Sequence, residues 1–61
     1  MNFEQRQKVL EQFPSGTVIT KIYNAFENGE TRVIVKLPSD NYETRYVAHF
    51  EGENVRLVHR P

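Results

Sequence analysis

The groups on this chain able to hold or move charge are eight Lys/Arg, eight Asp/Glu and two histidines, His49 and His59. There is no cysteine, so neither a disulfide nor a thiolate metal site can form. A nucleophile needs a base and an orienting group beside it, and a phosphate cradle needs clustered glycines. No Ser/His/Asp constellation, glycine-rich loop or carboxylate pair in a cleft can be assembled from this inventory. His49 and His59 fall on opposite faces of the strands assigned below, so they cannot share a metal. The expectation is a protein without catalytic residues, metal or cofactor, and not an enzyme.

The cations are more informative. Equal numbers of bases and acids argue against both a strongly basic nucleic-acid binder and an acidic nucleic-acid mimic. Their distribution is uneven, however. Six of the eight bases, Lys21, Arg32, Lys36, Arg45, Arg56 and Arg60, lie at positions that alternation assigns to one face of a sheet. The acids expected there are Glu43, with Glu27 and Glu30 near a turn.

The elements that position these groups follow from the pattern of the chain. With 61 residues it makes one domain at most, spanning 1–61. A chain this small buries only about 60% of its unfolded surface, so a partner or a second copy is a natural reinforcement. Asn2 and Gln5 have capping-box spacing. Phe3, Arg6, Val9, Leu10 and Phe13 then share one side of a helix of about three turns, which Pro14-Ser15-Gly16 ends. Two β-rich runs, Thr17–Tyr23 and Thr31–Leu37, flank Asn28-Gly29, the residue pair suited to a type I′ hairpin turn. Pro38–Asn41 turns the chain into a third run, Tyr42–Phe50, and Glu51–Asn54 turns it into a fourth, with Gly52 suited to type II′. The fold class is therefore α+β: one N-terminal helix packed on a four-stranded antiparallel meander in order 1-2-3-4.

The three turns predict registers. The first hairpin sets Phe26 opposite Thr31, Asn24 opposite Val33, Ile22 opposite Val35 and Thr20 opposite Leu37 on the helix side. On the far side it sets Ala25 opposite Arg32, Tyr23 opposite Ile34 and Lys21 opposite Lys36. The second pairs Val35 with Thr44 and Val33 with Tyr46, and places Lys36 across from Glu43 as an ion pair. The third pairs Phe50 with Val55, Ala48 with Leu57, Tyr46 with His59 and Arg45 with Arg60. The expected core is Phe3, Leu10, Phe13, Val18, Ile22, Val33, Val35, Leu37, Tyr46, Ala48, Phe50, Val55 and Leu57, with the Tyr42 ring also under the helix. Buried Val33 and Val35 with Ile34 turned away is the diagnostic of this arrangement.

The face away from the helix is the candidate partner-binding surface: Lys21, Tyr23, Arg32, Ile34, Lys36, Arg45, Val47, His49, Arg56, Val58 and Arg60. Like charges opposed across strands are unfavourable by some tenths of a kcal/mol, which a partner's anions would relieve. The alternative is an ordinary solvated sheet face, where long charged side chains splay apart. The β-branched strip Ile34, Val47, Val58 suits a protein partner, including a second copy. With Tyr23 alone on this face, the stacking platform of a single-strand nucleic-acid reader is missing. A protein-interaction module, accessory or inhibitory, is the expected function, using the face or an edge strand. The alternative is a weak phosphate-backbone binder using the same cations.

Phe13-Pro14, the hairpin, and Tyr46-Val47-Ala48-His49-Phe50-Glu51-Gly52 together resemble PepSY-like domains. The resemblance implies a helix ending near Phe-Pro, an antiparallel meander, and a role in binding or restraining proteases and other proteins. It supplies no functional residues. The sequence contains no apolar run long enough for a signal peptide or membrane span, so a cytoplasmic protein without membrane contact is expected.

Overall fold

The computed structural model describes residues 2–25 and 29–60. Helix α1 (Phe3–Leu10) opens with the expected capping box, in which Asn2 Oδ1 accepts the Gln5 N–H at 2.8 Å and Gln5 Oε1 accepts the Asn2 N–H at 3.1 Å. Two amides otherwise left without partners at the helix start are thereby bonded. The helix is shorter than its apolar stripe suggested. Gln12 and Phe13 donate to Val9 and Leu10, three residues back, tightening the chain as Pro14 approaches.

Four strands follow: β1 (Val18–Asn24), β2 (Thr31–Lys36), β3 (Thr44–Glu51) and β4 (Asn54–Arg60). They form one antiparallel sheet in order β1-β2-β3-β4, the α+β architecture expected from the sequence. Glu51 pairs with Asn54 across Gly52-Glu53. Gly52 has φ +63° and no described non-glycine residue has positive φ, the sign pattern of the type II′ turn. Gly16 is required for a different reason. Its φ is +95°, and a Cβ there would lie 3.3 Å from Pro38 Cβ, where the helix-to-strand turn meets the β2–β3 loop.

The β2–β3 and β3–β4 registers match the expected pairings, from Val35/Thr44 and Val33/Tyr46 to Arg45/Arg60. The first hairpin does not. Ala25 N–H donates to Glu30 O at 2.7 Å, and Asn24 pairs with Thr31. The described strands thus close at Ala25 and Glu30, and Gly29 N–H donates to Ala25 O. The pairing moves by two residues, which preserves the faces: Ile22 meets Val33 and Tyr23 meets Arg32. Phe26, Glu27 and Asn28, with the readings that rest on them, lie outside the described residues.

A β-bulge then changes the faces. Lys21 pairs with Ile34 but Ile19 pairs with Val35, leaving Thr20 as the extra residue. Ile19 thereby joins the core, and Val18 turns to the opposite face, 57% exposed. The expected Thr20/Leu37 and Lys21/Lys36 pairings are replaced; Lys36 faces Val18. The Lys36–Glu43 ion pair is also absent among the described residues, because the Glu43 carboxylate accepts the Thr20 hydroxyl.

Val9, Val33, Val35, Ala48 and Val55 are buried together, flanked by Phe13, Ile19, Ile22, Leu37, Tyr46 and Leu57. Val33 and Val35 are fully buried while Ile34 is half-buried on the other face. Four expected core residues lie outside: Phe3 at 72% exposure, Val18, Phe50 near the last turn, and half-buried Leu10, whose place is taken by its neighbour Val9 because the helix turns that residue to the sheet. Tyr42, 66% exposed, precedes β3 and has no helix over it. Phe3 is exposed because α1 packs against β4, with its first turn beside Gly52-Glu53 rather than over the sheet. Gln12 Nε2 secures this packing by donating to the Val55 carbonyl at 2.7 Å. From the bulge, Ile19→Ala is expected to cost about 1–2 kcal/mol and Val18→Ala less than about 0.5 kcal/mol in urea denaturation; equal losses would refute the assigned faces.

Candidate interaction face

On the sheet face away from α1, period-two alternation and the pairings align the candidate residues in rows. Tyr23, Arg32, Val47 and Val58 make one row, and Lys21, Ile34, Arg45 and Arg60 the next. His49 and Arg56 are paired toward the β3–β4 turn, and Lys36 sits at the far end beside Val18. All eleven candidate positions share this side. Val18 and Thr20 join them, which an uninterrupted alternation misses. The signal was in the apolar spacing: Ile19 and Ile22 are three residues apart, and both reach the core only if one residue between them is extra.

One end of the face is internally bonded. Arg32 Nη2 lies 3.5 Å from Glu30 Oε2, and Arg56 Nε donates to Glu51 Oε1 at 2.7 Å. The Arg32 pKa is raised above the ordinary arginine value, chiefly by its hydrogen bond to Tyr23, with desolvation opposing and the Glu30 carboxylate adding to the rise. A raised folded-state pKa favours folding below the unfolded value and is lost only above it. That range is far above neutral, so Arg32 is a fixed charge. Its Nε is buried without a hydrogen-bond partner among the described residues. Val47, paired with Arg32 and Val58, is buried on this face.

The other end is different. Lys21 Nζ lies 5.0 Å from the Tyr23 ring centroid, a cation–π contact. Among the described residues, Lys36, Arg45 and Arg60 have no acid partner, and Arg45 and Arg60 are directly opposed. Beside them runs an open groove of about 460 Å³ lined by Ile34, Arg45 and Arg60 on one side and by Tyr42, Glu43, Thr44 and His59 toward the strand ends, so one acid lies in it, bonded to the Thr20 hydroxyl. His59 packs edge-on against Tyr46 at 5.6 Å, on the helix side, while His49 is exposed on the outer face. Among the described residues, no three His, Asp or Glu side chains gather as metal ligands. Among the same residues, no helix is long and apolar enough to cross a membrane.

The face can therefore offer apolar contact from Val58 and Val18 beside three cations that have no ion-pair partner among the described residues. No family model, curated protein or solved structure matches the chain. The opposed arginines give a direct test: Arg45→Glu is expected to stabilise the fold by about 0.5 kcal/mol at low salt, shrinking at high salt. Urea melts at two ionic strengths would read it, and a loss of stability would show that the arginines do not repel.

Proposed function

We propose that this chain is a non-enzymatic protein-interaction module, accessory or inhibitory, that grips an anionic partner through the outer sheet face or an edge strand. The observation that carries this is the combination, on one sheet face, of exposed Val18 and Val58 with Lys36, Arg45 and Arg60, which have no ion-pair partner among the described residues. Exposed β-branched residues gain from burial against apolar side chains, and the cations select which partner is acceptable. The likeness to PepSY-like domains over Phe13-Pro14 and Tyr46–Gly52 favours the same class of role.

A phosphate backbone would engage the cations but make no use of Val18 and Val58. Salt separates the two readings, because a binder of duplex DNA loses affinity with a log–log slope near −0.9 per neutralised phosphate. The test is a pull-down from nuclease-treated lysate of the native host at two salt concentrations, comparing the wild type with Val58→Glu/Arg45→Glu. A protein retained by the wild type at both concentrations and lost with the double variant is expected. Retention by both, or capture of nucleic acid only, would overturn the proposal.

A further inference from the structure

Strand β4 forms one edge of the sheet, and the orientation of its backbone groups can be deduced. Glu51 and Asn54 close a two-residue hairpin and so exchange hydrogen bonds. Alternation then turns the N–H and C=O of Arg56, Val58 and Arg60 toward β3, and those of Val55, Leu57 and His59 toward the free edge. The Val55 carbonyl agrees, since it accepts the Gln12 side chain at 2.7 Å. Among the described residues, no hydrogen bond reaches the outward groups of Leu57 and His59. The opposite edge, β1, is interrupted by the bulge at Thr20, a device that blunts strand addition.

We propose that the β4 edge takes, as a fifth strand, an extended acidic segment of a partner protein. The inference rests on the interaction reading above and names both the surface and the partner's chemistry. Residues 54–60 read Asn-Val-Arg-Leu-Val-His-Arg, with no acid among them. Alternate side chains of an added strand would lie beside Arg56, Val58 and Arg60 on the outer face. Arg56 is already bonded to Glu51, so the added carboxylates meet Arg60, with Arg45 directly behind it.

A second copy is a poorer occupant. Antiparallel pairing of β4 with itself through Leu57 and His59 sets Arg56 opposite the other copy's Arg60 twice, a like-charge clash. Centring on Leu57 uses the Val55 backbone, which Gln12 holds, and centring on His59 pairs only Val58 with Arg60 among the described residues, too short a ladder to hold a dimer. A nucleic acid has no repeating N–H and C=O groups with which to continue the ladder.

The probe is an end-blocked peptide alternating glutamate and valine, with a lysine-for-glutamate counterpart as control. Binding is read by fluorescence anisotropy and by hydrogen exchange of the protein amides. The expected result is binding of the acidic peptide alone, with the Leu57 and His59 amides gaining protection and those of Ile22 and Asn24 on β1 unchanged. Arg60→Glu is expected to weaken binding about tenfold, because it replaces attraction by repulsion at a charged contact. His59→Pro, which removes an outward N–H while leaving the β3 ladder intact, is expected to weaken it about fivefold.

Absence of binding, equal binding of the lysine peptide, or protection elsewhere than β4 would overturn the proposal. If His59→Pro fails to fold, the protection map of the wild type still decides. Capture of a partner that depends on Val58 and Arg45, without protection at Leu57 and His59, would remove the edge proposal alone. Loss of that capture as well would remove both readings.

Discussion

The two layers of this protein meet through valines. Val9 is the one fully buried side chain of α1, and Val33 and Val35 are the fully buried side chains of β2. A helix of eight residues is far too short to persist by itself. It exists because Val9 enters the sheet's apolar face and because Gln12 bonds the Val55 carbonyl. Phe13 extends the contact by meeting the Tyr46 ring edge-on at 5.3 Å. With so little apolar volume enclosed, each of these contacts carries an unusually large share of the stability.

The parts legible in the sequence were those where independent local signals agreed. Asn2 and Gln5 announced the helix start, Gly52 announced the last turn, and the alternation through Val33, Val35, Tyr46 and Ala48 gave the faces of β2 and β3. The first hairpin was less legible because Asn28-Gly29 signals a two-residue turn, which would bring Glu27 opposite Glu30, whereas Ala25 is the residue bonded to Glu30. A bulge is harder still to read, since it adds a residue without any special residue type. Thr20 holds it through side-chain bonds to the Ile34 carbonyl and the Glu43 carboxylate, neither of which is near it in sequence. Phe3 and Tyr42 misled for another reason: an aromatic ring is apolar wherever it stands, but the helix covers only part of the sheet.

The outer face was more legible than the core, because alternation alone sorts its residues and a two-residue shift leaves them on the same side. What alternation could not supply was the division of that face. Glu30 and Glu51 pair with Arg32 and Arg56 toward one end, while toward the other Lys36, Arg45 and Arg60 have no ion-pair partner among the described residues, Glu43 nearby being bonded to the Thr20 hydroxyl. The bulge sets Val18 rather than Lys21 opposite Lys36, so an exposed apolar side chain stands beside that cation.

The strand order has a consequence for synthesis. Every strand pairs with its neighbour in the chain, so the sheet can zip together as residues leave the ribosome, using contacts of short sequence separation. The helix cannot join it on that schedule. Its main contact is with β4, and the Gln12–Val55 bond spans 43 residues, so the first element made must wait for the last. Until β4 emerges, the apolar face of the sheet has no lid, and the nascent chain carries an open surface of the kind that chaperones recognise.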